Sequence, residues 1–152
     1  MNSVKYKPDD HQTVIPYLTV KDAPGLIEFL RQVFGASECE RVDRPGGGIL
    51  HAEVRVGDSR IMLSEACDQM GPGLSHLYVY VEDVDTVHQR ALKAGAEEVM
   101  APADMFWGDR FCSVKDTWGN TWSIATHVED VAQHELAERA RAFFEEQQSE
   151  TG

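Results

Sequence analysis

The chain has 152 residues, with 26 acidic against 14 basic side chains and a formal net charge of −12. A field of that sign repels phosphate backbones and anionic lipid surfaces, so the sequence predicts neither nucleic acid nor membrane as a partner. A polar start over 1–12, the lack of any apolar run near the ~20 residues of a bilayer span, and three scattered cysteines predict a cytoplasmic protein without disulfides.

Residues 13–66 carry the pattern of one compact unit behind the polar tail. A strand that alternates apolar and polar positions from residue 14 ends at Asp22, a residue type that caps helices well. Apolar side chains at helical spacing predict a helix over 23–34, which Gly35 terminates. Three strands complete the unit, predicted near 38–43, 51–56 and 60–64, with a glycine turn at 46–48 between the first two.

Residues 75–127 repeat this order of elements. Asp83 follows Asp22 by 61 positions and ends a second alternating strand, and Gly95 follows Gly35 by 60. Three more strands are predicted near 97–101, 111–115 and 121–126. The stretch 67–74, with its glycines and proline, is the predicted linker. The chain therefore contains two copies of one strand–helix–strand–strand–strand unit.

Residues 128–152 lie outside the repeats. A stripe of apolar side chains predicts a helix over 128–147. The region holds seven acidic residues and two arginines, which favours a solvated helix face, with an acidic protein-interaction module as the alternative. The stripe consists of Ala132, Leu136, Ala140, Phe143 and Phe144.

Two such units joined by a Gly/Pro linker resemble the vicinal oxygen chelate superfamily, which contains glyoxalase I, extradiol dioxygenases and bleomycin-resistance proteins. The resemblance covers about residues 12–127 and implies an α+β fold in a single structural domain. In that fold two tandem βαβββ units form a curved mixed β-sheet with helices on the outer face, and here a C-terminal helix is added. The PhnB-like branch is most similar in its local phrases, which are here Val14-Ile-Pro-Tyr-Leu, Val33-Phe-Gly-Ala, His51-Ala-Glu-Val-Arg-Val and Trp107-Gly-Asp-Arg.

The resemblance also allows a test of the superfamily's metal site. In metal-using members each unit supplies two ligands of the His, Gln or Glu type, from its first and last strands. The matching positions here are Ile15, His76, Ser123 and either Ile61 or Met62. Only one usual ligand remains, and a lone imidazole does not hold a divalent cation tightly. The alternative is a divalent metal held by a rearranged set, with His76, His51 and Glu65 as candidates.

Strand alternation selects the side chains that face the cavity implied by the resemblance. The more aliphatic positions suit the helix-covered side of each sheet, which leaves Ile15, Tyr17, His76 and Tyr78 on the cavity side. Loop aromatics beside a sheet cavity suit stacking on a planar or apolar ligand, although they could instead fill a dimer interface. The predicted ligand-binding residues are Tyr17, His76, Tyr78, Trp107, Arg110 and Ser123.

Some of these side chains also have structural interpretations. His76 is expected to be a hydrogen-bonded cavity histidine rather than a metal ligand, and Arg110 is as well explained by an ion pair. Trp122 and Cys112 are predicted to be core residues. The remaining histidines outside the strands are predicted to face solvent: His11, His88 and His134.

Two functions from different classes follow. The first is a glyoxalase/bleomycin-resistance-like protein that binds a cationic or aromatic drug-like molecule, for drug binding or sequestration, without the full family metal site. The second is a metal-dependent lyase, isomerase or dioxygenase of the glyoxalase-like type, so catalysis stays open. Because an isolated unit exposes apolar sheet, a homodimer with twofold symmetry is the expected assembly, with units side by side or exchanged.

Overall fold

The computed structural model describes residues 4–69 and 71–151. The strands and helices form two compact units, Met1–Ser75 and His76–Gly152. Each unit holds its own four-stranded mixed sheet. The predicted α+β fold of tandem βαβββ units followed by a C-terminal helix is confirmed.

The first unit has the strand order β1-β4-β3-β2. Strand β1 runs parallel to β4, and the other neighbours are antiparallel. The single helix α1 connects the two edge strands of the sheet. The bounds are β1 Tyr17–Val20, α1 Ala23–Phe34, β2 Ser37–Asp43, β3 Ile49–Val56 and β4 Ser59–Glu65.

The second unit repeats this topology with the order β5-β8-β7-β6. Again the first strand is parallel to the last, and the remaining pairs are antiparallel. Helix α3 follows the repeat. The bounds are β5 His76–Tyr80, α2 Val84–Lys93, β6 Glu97–Asp104, β7 Asp109–Lys115, β8 Thr121–His127 and α3 Gln133–Thr151.

The helix ends follow from the local sequence. The Asp22 carboxylate accepts the Gly25 N–H at 3.1 Å, and Asp83 accepts the Thr86 N–H at 3.3 Å, so both predicted caps are confirmed. Gly35 ends α1 in the left-handed region at φ 67°, where a side chain would be strained.

Each core lies between one sheet face and its helix. In the first unit the buried apolar side chains of β1, Leu18 and Val20, lie on the helix side, with Leu26 and Leu30 of α1 also fully buried. In the second unit Trp122 is the largest core side chain, and it is fully buried as predicted. Its indole N–H donates to Asp116 at 2.8 Å. The opposite face of each sheet is therefore not covered by the helix of its unit.

Several element bounds differ from the sequence predictions, and two of the differences have a local cause. Helix α3 begins at Gln133 rather than at 128, because the N–H groups of Val128 and Glu129 donate to the Gly108 carbonyl instead of opening a helix. Strand β1 begins at Tyr17 rather than at 14. Pro16, which has no N–H to donate to a ladder, precedes it and contributes only its carbonyl, to the Met62 N–H.

Two histidines predicted to face solvent do not. His88 of α2 is buried and contacts the Glu98 carboxylate through Nε2 at 2.7 Å. His11 lies largely out of solvent, with its Nε2 2.8 Å from the carboxylate of Glu53. Both predictions were wrong because each ring contacts a carboxylate on a strand of its own unit, Glu98 for His88 and Glu53 for His11. His134 is exposed, as predicted.

The core assignment of Cys112 and the predicted glycine turn also hold. Cys112 is fully buried on β7, and burial raises the pKa of its thiol to about 11, so the thiolate is disfavoured. The glycine turn at 46–48 joins β2 to β3, with the Gly47 N–H donating to the Arg44 carbonyl. Across the described residues, none of the helices combines the length and apolar character that a membrane crossing requires.

Candidate functional site

The most distinctive surface of the second unit is the sheet face turned away from α2. Strand register places Tyr78 and Tyr80 of β5 beside β8, and Phe111 of β7 beside the same strand. Trp107, from the turn before β7, extends this group. We call these four side chains, Tyr78, Tyr80, Trp107 and Phe111, the aromatic face.

The four rings form one contiguous surface. Tyr78 stacks on Phe111 with ring centroids 5.7 Å apart, and it contacts Tyr80 at 5.4 Å. Trp107 meets Phe111 edge-on at 5.7 Å. Tyr78 is 45% and Tyr80 63% exposed. A large, exposed and ordered aromatic surface of this kind is typical of a binding site.

A buried carboxylate lies behind the aromatic face. Asp109, only 1% exposed, accepts the hydroxyl protons of Tyr78 at 2.6 Å and Tyr80 at 2.9 Å, both on Oδ2. Its Oδ1 lies 2.8 Å from Nδ1 of His127. Because an ionised carboxylate can only accept, these three groups are donors to Asp109. One side chain thus joins β5, β7 and β8.

These contacts shift the pKa values of all the partners. Burial opposes ionisation of Asp109, but the hydrogen bonds from Tyr78, His127 and Tyr80 outweigh it and hold the pKa of that carboxyl below its usual range. Burial, then the bond to Asp109, raises the pKa of Tyr78. The bond to Asp109 also raises the pKa of Tyr80. Both phenols therefore stay protonated.

His127 links this centre to the following segment. Its Nδ1 faces Asp109, and its Nε2 lies 2.7 Å from Oδ1 of Asp130. Hydrogen bonds to the carboxylates of Asp109 and then Asp130 raise the pKa of His127, because they favour the protonated ring.

The turn that carries Trp107 is held from two sides. The Trp107 indole N–H donates to the Tyr78 hydroxyl oxygen at 3.2 Å. On the other side, Phe106 contacts Phe143 of α3 with ring centroids 5.3 Å apart, and Arg139 donates to the Phe106 carbonyl at 3.4 Å. A side chain at Gly108 would collide with the Glu129 carbonyl, so only glycine allows this close approach. Helix α3 thereby positions a wall of the aromatic face.

The structure brings together four of the six residues predicted to bind ligand. His76, Tyr78 and Ser123 lie on one sheet face, where His76 Nε2 is 2.7 Å from the Ser123 hydroxyl, and Trp107 contacts Tyr78. The hydrogen-bonded histidine expected at position 76 is therefore present.

Arg110 does not belong to this group, and Tyr17 lies in the first unit. Arg110 lies on the helix-covered side of β7, where it donates to the Asp85 carboxylate at 2.7 and 3.0 Å and to Asp104 at 3.2 Å. It is thus a structural ion pair, the alternative interpretation of this side chain. Tyr17 belongs to the first unit, with its hydroxyl 3.5 Å from Nδ1 of His51.

The first unit uses the corresponding sheet face differently. Glu53 is buried there between Arg60 Nη1 at 3.1 Å and His11 Nε2 at 2.8 Å. Arg60 also donates to the Asp10 carbonyl, and its own carbonyl accepts from Gln12 at 2.7 Å. A charge cluster and the residues before β1 therefore cover part of this face, whereas the second unit leaves its aromatic rings exposed.

Comparison with known proteins identifies the family. The sequence model of the Glyoxalase/Bleomycin resistance protein/Dioxygenase superfamily matches residues 10–124. The chain belongs to this superfamily. Its sequence is 37% identical over 132 residues to an uncharacterized protein of Mycobacterium bovis, covering 80% of this chain and 87% of that protein. An uncharacterized protein of Mycobacterium tuberculosis is equally similar, with 78% of its length covered.

Solved structures agree with this assignment. TioX from Micromonospora sp. ML1 superposes with a TM-score of 0.65 at 27% identity, covering 77% of this chain and 99% of that one. The PhnB protein from Bacillus cereus gives 0.61 at 19% identity, with 76% and 99% covered. The fosfomycin resistance protein FosX from Mesorhizobium loti gives 0.57 at 17% identity, with 76% and 91% covered. The last two likenesses show the fold alone.

The residues of this chain do not fit the metal site that the superfamily implies. The His76 imidazole is hydrogen-bonded to Ser123, and Ser123 replaces a usual ligand. Of the rearranged set, Glu65 accepts the N–H groups of Asp22 and Ala23 at 3.0 and 2.8 Å, so its carboxylate caps α1. Among the side chains of residues 4–69 and 71–151, no three of the His, Cys, Asp and Glu type are placed to hold a metal ion.

Sequence reasoning did not assign Asp109 and Tyr80 to the site. The predicted seventh strand began at Phe111, which left Asp109 in a loop, but β7 begins at Asp109 itself. Two-residue periodicity then places Asp109 on the same face as Phe111. That extension of the strand is the signal that would have found it.

We expect Phe143→Ala to loosen the turn at 105–108, because the side chain that contacts Phe106 is lost. Backbone amides of the turn should exchange with deuterium about tenfold faster, while those of β7 change little. Phe144→Ala is the matched control, since Phe144 is 58% exposed and next to it in sequence. Equal exchange rates in both variants would contradict the role of α3.

We expect an NMR titration to place the pKa of His127 above its ordinary value, and Asp109→Asn to lower it. Because the folded-state pKa is raised, protonated His127 stabilises the fold fully below the unfolded-state pKa, and this contribution is lost as pH rises through the folded-state pKa. Urea denaturation across that pH range should show the dependence, and His127→Gln should lack it. A pKa for His127 at or below the ordinary value would refute the bridge between the two carboxylates.

Proposed function

We propose that the protein binds a small planar organic molecule on the aromatic face of its second unit, without covalent chemistry. The observation that carries this proposal is the contiguous set of four rings, with Tyr78 and Tyr80 exposed and Trp107 and Phe111 half-buried, whose two tyrosines are held by a buried carboxylate. Apolar contact area with a few fixed polar groups is the usual composition of small-molecule sites. Rings held in place before binding lose little conformational entropy when the ligand arrives.

The donor set supports binding rather than metal-dependent catalysis. A metal acting as a Lewis acid needs several His, Asp, Glu or Cys ligands around one point. The candidates His76 and Glu65 are each committed to other hydrogen-bond partners. Drug binding or sequestration is the use we propose, and the description of the superfamily, which includes bleomycin resistance, supports it.

The cysteines and the net charge support proposals about the cellular compartment and the partners of the protein. We propose a cytoplasmic protein, since Cys39, Cys67 and Cys112 are free thiols, as a reducing compartment keeps them. The excess of acidic side chains supports the proposal that neither nucleic acid nor an anionic membrane is a partner.

We further propose a homodimer with twofold symmetry. Strand β2 is an edge strand with exposed residues throughout, and Val42 on it and Leu50 on β3 are exposed apolar side chains. Exposed edges with apolar side chains are sites of strand pairing or association. Light scattering should give twice the 17.0 kDa of one chain; the mass of one chain throughout the micromolar range would rule the dimer out.

The binding proposal can be tested with acridine, a neutral planar probe, followed by the rise in melting temperature and by quenching of tryptophan fluorescence. Tyr78→Ala should weaken binding about tenfold, because it removes a stacking ring and the acceptor of the Trp107 N–H. Tyr17→Ala is the matched variant, since Tyr17 is the equivalent of Tyr78 in the first repeat and should change affinity little if the face of the second unit suffices.

Two outcomes of that experiment would overturn the proposal. Acridine binding that Tyr78→Ala leaves unchanged would place the probe elsewhere. One tightly bound metal per chain in protein purified without chelator, lost on His76→Ala, would favour the metal-dependent lyase, isomerase or dioxygenase instead.

A further inference from the structure

The hydrogen-bond direction on the aromatic face is set by Asp109. Tyr78 and Tyr80 both donate their only hydroxyl proton to its carboxylate, at 2.6 and 2.9 Å. Trp107 donates its only N–H to the Tyr78 oxygen at 3.2 Å. His127 directs one ring nitrogen to Asp109 and the other to Asp130. The donor groups of all four side chains are therefore engaged by other groups of the protein.

Toward solvent, these tyrosines present hydrogen-bond acceptors and not donors. A phenolic oxygen that donates its proton inward keeps two lone pairs. Among residues 4–69 and 71–151, no group donates to the oxygen of Tyr80, and this residue is 63% exposed. The ring faces around it carry the negative side of the aromatic quadrupole. The exposed surface is thus one of acceptors and electron-rich rings.

The neighbouring positive charges do not change the acceptor character of this surface. Arg110 points to the other side of β7 and is paired with Asp85 and Asp104. Lys115 is exposed on the same strand, but it stands four residues from Phe111, about 13 Å along an extended strand. When His127 is protonated, its positive charge lies between the carboxylates of Asp109 and Asp130.

We infer that the ligand of the aromatic face is a planar cation that donates hydrogen bonds, and that Asp109 is the positioning residue that sets this preference. The inference rests on the proposed function, because it assigns a chemical class to the ligand of that same site. A cation over the rings gains cation–π attraction, and its N–H groups can reach the phenolic oxygens. An anion of the same shape meets lone pairs and negative ring faces.

The test uses two matched planar probes near neutral pH, 9-aminoacridine, a monocation with N–H donors, and acridine-9-carboxylate, a monoanion. Titration by fluorescence should show the cation binding about tenfold or more tightly than the anion, with neutral acridine between them. Equal affinity for the two ions, or a preference for the anion, would overturn the inference.

Asp109→Asn separates hydrogen-bond direction from charge. The amide that replaces the carboxylate can donate to one phenolic oxygen, which frees the proton of that tyrosine to face the ligand. The preference for the cation should then fall to near unity. Asp130→Asn removes the same charge from a fully exposed side chain and leaves both tyrosine bonds intact, so it should keep most of the preference. An equal loss in both variants would show that net charge, not the tyrosine network, selects the ligand.

Tyr80→Phe gives an independent answer, also where Asp109→Asn does not fold. It keeps the ring and removes the exposed acceptor, so 9-aminoacridine should bind about fivefold more weakly while acridine is unaffected. Unchanged binding of 9-aminoacridine would contradict the inference. Failure of every probe to bind would instead remove the proposed function itself, whereas acridine binding with no preference for the cation would remove only this inference.

Discussion

The second unit depends on one buried charge. Removing a carboxylate from water is costly unless hydrogen bonds replace the lost hydration, and Asp109 obtains three, from Tyr78, Tyr80 and His127. Those donors come from the edge strand β5 and from the end of β8, so satisfying the charge also sets the position of both strands relative to β7. The same contacts hold two half-exposed aromatic rings that would otherwise be free to rotate. The order of the exposed tyrosine rings is therefore a consequence of their hydrogen bonds to the buried carboxylate.

The two repeats show how one backbone supports different surfaces. Both bury an acidic side chain on the sheet face away from the helix, Glu53 in the first unit and Asp109 in the second. Glu53 is neutralised by Arg60 and contacted by His11, which brings the residues before β1 onto that face. Asp109 is satisfied mainly by neutral phenols, which leaves rings and oxygens open to solvent. The choice of partner, rather than the topology, distinguishes the covered face from the open one.

The C-terminal helix joins this arrangement from outside the repeat. The superfamily match ends at residue 124, and α3 follows it. Phe143 and Arg139 contact the ring and the carbonyl of Phe106, so the helix restrains the turn that presents Trp107. An element that sequence patterning describes as an amphipathic, strongly acidic helix thus has a structural task beside the aromatic face. Local order in the turn depends on packing contributed by residues far along the chain.

Local patterns in the sequence by themselves determined the repeated βαβββ order, the bounds of α1 between Asp22 and Gly35, and the placement of Tyr78 on the face away from the helix. Capping, terminating glycines and alternation act over a few neighbouring residues, so they can be seen without a structure. Only the tertiary structure decided that β7 begins at Asp109, which turns Arg110 toward α2 and Asp109 toward the rings. The partners of Asp109 stand 18 to 31 residues away, on other strands. Contacts at that separation depend on which strands pair and in which register, and alternation within a single strand does not specify its partners.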